Sequence, residues 1–263
     1  MTDDPRPEGD RPEGDRIAKL LARAGVASRR EVERMIADQR ITLNGKPVTT
    51  PATFLKGLNG VSVDGNPVAA PEPTMLVAFH KPTGLITAER DPAGRATIYS
   101  ALRNALPKDT PRLMPVGRLD LNTEGLLLLT NDGGLKRQME LPSTGIPRVY
   151  RARAFGEVTQ EQLEDLSEGV EIDGVRYGPI DANLERGGSA SGKAKNNWIE
   201  MTITEGKNRE VRRVLEHLEL KVNRLIRTAY GPFALGDLPR GQAERIRKHD
   251  VGRFISGMNK NRA

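Results

Sequence analysis

The chain has 263 residues, 37% hydrophobic and 29% charged, with a formal net charge of +6, enough for two domains with buried cores. It has no cysteine, which excludes disulfides, thiol nucleophiles and thiolate metal sites. His80, His217 and His249 lack ligand spacing, no run of about 18 apolar residues could span a bilayer, and the acidic start Met1-Thr2-Asp3-Asp4-Pro5 is unlike a secretory leader. A cytoplasmic protein without a membrane segment is expected.

Residues 1–15 hold six acids, two bases and a five-residue echo, Arg6-Pro7-Glu8-Gly9-Asp10 then Arg11-Pro12-Glu13-Gly14-Asp15. The echo has no apolar side chain to bury, so a disordered tail is predicted. From Arg16, the spacing of Ile17, Leu20, Leu21 and Ala24 predicts a helix stopped by Gly25. Ser28-Arg29-Arg30-Glu31 has the form of a capping box, and Val32, Met35 and Ile36 supply the apolar face of a second helix. Ile41–Val48 and Val61–Val68 alternate apolar and polar around Asn44-Gly45 and Asp64-Gly65, the strongest short hairpin signal. Residues 16–70 thus read as two helices and a small sheet, with nine bases against four acids. Residues 71–75, with Pro71-Glu72-Pro73, form a stiff linker.

Residues 76–255 mix strands and helices. Leu76–His80 and Leu126–Thr130 read as buried strands, and Ile98–Leu106 as a helix. Val149–Ala154 alternates, and Thr159 to Gln162 caps a helix to Leu166. Gly187–Gly192 is read as a flexible loop before a strand at Trp198–Thr204. Val211, Val214, Leu215 and Leu218 mark an amphipathic helix, and Val222–Ala229 and Arg245–Ile246 are extended. Residues 256–263 read as a frayed tail. The class is α+β with a mainly antiparallel, mixed sheet.

Both folded parts are basic, a distribution that suits nucleic acid or simply solubility. The first candidate site is the helix, turn, basic helix and Ile41-Thr42-Leu43-Asn44-Gly45 segment, which resembles the RNA-binding module first seen in ribosomal protein S-four. The resemblance implies that Arg29, Arg30, Arg34, Arg40 and Lys46 contact RNA backbone; arginine's planar fork meets phosphate oxygens two at a time.

The second is Gly117-Arg118-Leu119-Asp120-Leu121-Asn122-Thr123-Glu124-Gly125 running into Leu126-Leu127-Leu128-Leu129-Thr130-Asn131-Asp132-Gly133. A polar loop delivered onto an apolar strand can hold one side chain in a fixed place. Asp120 is the candidate, although the loop alone fits a turn-capping aspartate better. The run is similar to the signature of the RsuA/RluB family of rRNA pseudouridine synthases. Further landmarks follow in family order: Lys81-Pro82-Thr83-Gly84, Tyr150, Glu205-Gly206-Lys207-Asn208-Arg209-Glu210-Val211-Arg212-Arg213, Leu225-Ile226-Arg227 and Gly231–Leu238.

That resemblance implies an S-four-like domain joined to a catalytic domain, isomerising one uridine of ribosomal RNA to pseudouridine without a cofactor or metal. It assigns the catalytic carboxylate to Asp120 and a uracil-stacking role to Tyr150. Arg212 becomes the partner that keeps the carboxylate charged in a dry pocket, and Arg118 fills the gap left by a flipped nucleotide. Lys207, Arg209, Arg213 and Arg227 become RNA contacts. The bland readings are a half-buried strand tyrosine for Tyr150 and one more phosphate contact for Arg212. Glu124, four residues from Asp120, does not make a glycosidase pair, because a sugar groove needs aromatics and these are 4% of the chain. The segment 205–213 is nearer the large-subunit branch of the family, so 23S rRNA, free or in a ribosomal precursor, is the expected substrate. A 16S substrate and a non-catalytic ribosome-assembly factor are the rivals.

Overall fold

Residues 13–185 and 195–260 are described by a computed structural model. They form two units, one ending at Thr74 and one beginning at Met75. The expected tail over residues 1–12 and the glycine-serine loop at 187–192 lie outside the described residues.

In the first unit, helices α1 (Ile17–Arg23) and α2 (Arg29–Ala37) share a core of Ile17, Leu21, Val32 and Ile36 with Ile41 and Val61. The Ser28 hydroxyl accepts the Glu31 N–H at 3.2 Å. Glu31 does not complete the box; its carboxylate turns to Arg34. The sheet runs Lys46–Pro47, Ile41–Leu43, Val61–Val63, Asn66–Pro67. Asn44-Gly45 and Asp64-Gly65 both take positive φ, as two-residue hairpin turns require. Asp15, placed in the tail on sequence grounds, instead pairs with Leu55, because an extended segment there completes a two-stranded ladder.

The second unit is built on a mixed sheet. Its main strands are β1 (Leu76–Lys81), β2 (Glu124–Thr130), β3 (Arg148–Gly156), β4 (Asp181–Leu184), β5 (Lys195–Ile203), β6 (Lys221–Tyr230) and β7 (Ala243–Arg245). Their order is β4-β5-β3-β6-β2-β1-β7, antiparallel except where β6 meets β2. Alternate side chains of β2 enter different cores, because successive strand residues face opposite ways. Leu127 and Leu129 pack with Phe79, Tyr150, Ile199 and α6 (Glu210–His217); Leu126 and Leu128 pack with Tyr230, Phe233 and Val251. Strand β2 is buried along its whole length, which explains its unbroken leucine run.

Helix α3 (Ile98–Ala105) lies where expected. Helix α4 (Gly133–Glu140) was not foreseen: it opens on Gly133-Gly134, the poorest ordinary helix formers, and starts because Asp132 accepts the N–H groups of Gly134 and Leu135. The expected capping box forms at Thr159 on α5 (Gln160–Glu164). Helix α7 (Lys248–Lys260) corrects the frayed tail from 256: Val251, Phe254, Ile255 and Met258 pack on the second core, so burial holds a segment that looked polar in sequence.

Gly125 sits where β2 meets β6, at φ +107. A Cβ there would lie 2.3 Å from the Arg227 carbonyl oxygen and 2.6 Å from its nitrogen. Backbone cannot retreat as a flexible side chain can, so Gly125→Ala is expected to cost on the order of 3 kcal/mol or to prevent folding. Thermal and urea denaturation check this.

Candidate active site

The loop between Pro115 and Glu124 is fixed by its own backbone. Five consecutive carbonyl oxygens, from residue 119 to residue 123, each accept a hydrogen bond from elsewhere. Thr87 Oγ1 donates to Leu119 O at 2.8 Å and accepts the Leu119 N–H at 3.2 Å. Lys81 Nζ donates to Asp120 O at 3.0 Å and Thr123 O at 2.9 Å. The Gly84 N–H reaches Leu121 O at 2.8 Å, and Arg212 Nη2 reaches Asn122 O at 2.8 Å. At the loop's entry, Glu140 of α4 accepts the Gly117 N–H at 2.6 Å.

Lys81 is the centre of this arrangement. It ends β1 with no exposed surface and spends its third donor on Pro82 O at 3.1 Å. Burial pulls its ammonium down to about 8, against the opposing charges of Asp120 and Glu124, so it is still a cation at neutral pH. Sequence reading treated Lys81 only as a landmark. The signal was there: a lysine closing an otherwise apolar buried strand must either find partners or destabilise it.

With its backbone held, Asp120 offers its carboxylate to a cleft of about 680 Å³, within the roughly 300–1,000 Å³ typical of ligand pockets. The same cleft is lined by Arg118, Tyr150, Lys207, Arg209, Arg212 and Arg227. Among the described residues lining it, seven are cationic and four acidic. The cleft therefore favours an anion such as a phosphodiester.

The guanidinium paired with Asp120 is that of Arg209, with Nη1 3.7 Å from Oδ2. Arg209, expected as an RNA contact, thus stands where Arg212 was expected. Arg212 is 7% exposed and works on the loop backbone through Asn122 and, at 3.3 Å, on Val222 O. Burial, and next the neighbouring Arg209, lower the Arg212 guanidinium from its ordinary value, while Asp120 and Glu216 oppose this.

Tyr150, on β3, is 9% exposed. Its hydroxyl accepts from Arg227 Nη1 at 3.5 Å. Arg227 is a correction to the sequence expectation of a backbone contact: it is 2% exposed and lies between the rings of Tyr150 and Tyr230, with Nε donating to Leu126 O at 2.7 Å. Arg118 is exposed at the cleft. Arg213 is exposed outside the cleft lining and donates to the Tyr177 hydroxyl at 3.4 Å. Glu124 is 3% exposed and paired with Arg224 and Arg240, which makes it a structural acid.

The remaining expected contacts belong to the first unit. Arg29, Arg30 and Lys46 are exposed. Arg34 and Arg40 are engaged by Glu31 and Asp64, Arg40 at two points of 2.9 and 2.6 Å.

Comparison with known proteins gives a consistent picture. Residues 75–217 match the family described as RNA pseudouridylate synthase, and residues 15–57 match the S4 domain. An uncharacterized RNA pseudouridine synthase of Rickettsia bellii is 44% identical over 233 residues, covering 89% of this chain and 97% of that protein. Ribosomal large subunit pseudouridine synthase B of Pasteurella multocida is 40% identical, covering 89% of this chain and 67% of that protein. The protein of the same name from Salmonella typhi is 39% identical, covering 86% and 77%. A crystal structure of a pseudouridylate synthase superposes with a TM-score of 0.60 at 22% identity, covering 91% of this chain and 99% of that one, which shows a shared fold.

Lys81→Met keeps the length of the side chain and removes its donors. It leaves buried carbonyls unsatisfied, at a cost of about 2–4 kcal/mol, and loosens the Asp120 loop. The expected result is a lower Tm together with a fall in kcat larger than any rise in KM, read by thermal melting and steady-state kinetics.

Proposed function

We propose, from the premise that the chain belongs to the RNA pseudouridylate synthase family, that it isomerises a uridine of 23S rRNA with Asp120 as the catalytic carboxylate. That it is a pseudouridine synthase acting on RNA follows from the family itself. The observation that carries the residue assignment is the pinned loop, which uses every carbonyl from 119 to 123 and leaves the Asp120 side chain for the cleft. The large-subunit assignment is supported by relatives bearing that name at about 40% identity.

Pseudouridine formation breaks the bond from C1′ of ribose to N1 of uracil, turns the base and joins C1′ to C5. The C5 proton is lost and N1 gains one, so the formula is unchanged and no co-substrate is consumed. A carboxylate can carry the ribose as a covalent ester or steady the charge at C1′ while the base turns. Asp120 is offered to that carbon, with the Arg209 guanidinium 3.7 Å from its Oδ2. Tyr150 stacks on the uracil and its hydroxyl, oriented by Arg227, lies where a proton could leave C5. Arg118, exposed at the cleft, fills the space of the everted nucleotide. Arg29, Arg30 and Lys46 of the first unit hold RNA backbone, with Arg34 and Arg40 contributing by exchange of their acidic partners.

Asp120→Asn is expected to retain RNA binding and to lose turnover by roughly 10⁴-fold or more, checked by tritium release from C5-labelled RNA alongside filter binding. Retained turnover removes the residue assignment. Pseudouridine mapping of both rRNAs from cells with and without the gene separates 23S from 16S, and no missing site in either favours a binding factor.

Affinity for an rRNA fragment is expected to fall steeply with salt, with Arg29→Ala/Arg30→Ala flattening the log–log slope by about two. An unchanged slope would take these arginines off the RNA.

A further inference from the structure

Glu210 opens helix α6 in the wall of the cleft and is 3% exposed. Its Oε2 accepts the Lys207 N–H at 2.8 Å. Its Oε1 is buried and receives no N–H donor. The carboxyl group beside it is Glu205, also in the cleft wall. Glu205 Oε1 accepts the Gly178 N–H at 2.6 Å, and Oε2 takes the Lys207 ammonium. Both acids are bound to one residue, Glu210 to the Lys207 N–H and Glu205 to the Lys207 ammonium; carboxylates gathered this way repel each other, and a buried oxygen without a donor has no favourable partner. A single proton removes both faults, because protonated Glu210 becomes a donor to Glu205.

We propose that Glu205 and Glu210 share one proton at neutral pH, and that this shared proton locks the turn that presents Arg209 to Asp120. Glu210 is therefore a positioning residue, and its role in turnover rests on the Asp120 assignment.

The turn has the features such a lock needs. Lys207 and Glu210 close it with two reciprocal bonds, the second being Glu210 N–H to Lys207 O at 3.3 Å. Inside the turn, Arg209 adopts φ +52, a left-handed conformation that a non-glycine residue holds only when its surroundings impose it. Release of the turn frees that residue and moves its guanidinium from Asp120.

The two acids are pushed in opposite directions. Burial raises Glu210 to about 7; the Lys207 N–H opposes this and the Glu205 charge adds to it. Burial would raise Glu205 too, but the Gly178 N–H, the Lys207 ammonium and Glu210 hold it below its ordinary value. Other charged groups near the segment are Glu216, whose Oε1 lies 3.9 Å from Arg209 Nη2, Arg212, which neighbours Arg209, Arg148 of β3, whose Nε lies 3.9 Å from a Cβ built on Gly206, and Arg213, engaged on Tyr177. Because the folded protein holds the Glu210 proton more tightly than the unfolded chain, its stabilisation is complete below the ordinary glutamate range and is lost as pH rises through about 7.

Glu210→Gln supplies a permanent amide donor toward Glu205 and keeps an acceptor for Lys207. Three measurements test the proposal on the full chain. With ¹³C-labelled glutamate, one carboxyl resonance titrates near neutrality and is missing from Glu210→Gln. The Tm of Glu210→Gln relative to wild type rises steadily between about pH 5 and about pH 8. Glu210→Ala lowers kcat by about tenfold with little change in KM, and Glu210→Gln recovers most of that loss. A wild-type spectrum with no glutamate titrating between about pH 6 and about pH 8 overturns the shared proton. A glutamine variant as slow as the alanine variant overturns the lock. If Asp120→Asn still converts uridine, the resonance and the Tm trend continue to report on the acid pair, so the two failures are distinguishable.

Discussion

A buried ammonium group organises the Asp120 loop and the cleft beside it. Lys81 has left water entirely, at a cost that three carbonyl partners and the nearby charges of Asp120 and Glu124 offset. Two of those carbonyls belong to the Asp120 loop, so the energy that keeps the lysine inside is the same energy that fixes the loop. Gly84 and Thr87, in the loop that follows Lys81, and Arg212 of α6 complete the hold. A short loop without regular structure thereby becomes as determined as a strand, and the freedom left to Asp120 is that of its own side chain. Preorganisation of this kind lets a single carboxylate act without reorganisation at the moment of reaction.

The sheet supplies what the loop cannot. The unusual parallel contact of β2 with β6 brings Gly125 against Arg227, close enough that only a glycine fits. Arg227 in turn lies 6.0 Å from the centre of the Tyr150 ring and donates to its hydroxyl at 3.5 Å. Arg148, 6% exposed, stands on the other side of Tyr230 and donates to its hydroxyl at 3.0 Å. Two buried guanidinium groups around two tyrosines give the cleft a positive floor that neither salt nor water screens effectively. The acids of the cleft are each accounted for: Glu140 at the loop entry, Glu205 and Glu210 on the Arg209 turn, and Asp120 beside the Arg209 guanidinium.

Some of this was legible in the residues themselves. The leucine run of β2, the Asn-Gly and Asp-Gly hairpins, the Thr159 capping box and the apolar face of α6 each follow from local rules of period and capping, and each formed. Helices α4 and α7 did not follow from local rules. One begins with two glycines and the other gains its helix from burial of Phe254, Ile255 and Met258, which depends on a surface assembled elsewhere in the chain.

The sequence by itself determined the family, the α+β class, the division into a small basic module and a larger unit, and Asp120 as the residue to watch. Those rest on patterns of neighbouring residues, which the chain carries openly. Tertiary structure alone decided which cation faces Asp120, that Arg227 is interior, and that Lys81 holds the loop. The partners in those contacts are 89, 101 and 39 positions apart, and an arginine on a helix or strand has the same composition whether it meets phosphate, a carbonyl or an aromatic ring. Only the parallel pairing of β2 with β6 and the packing of α6 in the same core fix the direction in which each side chain points.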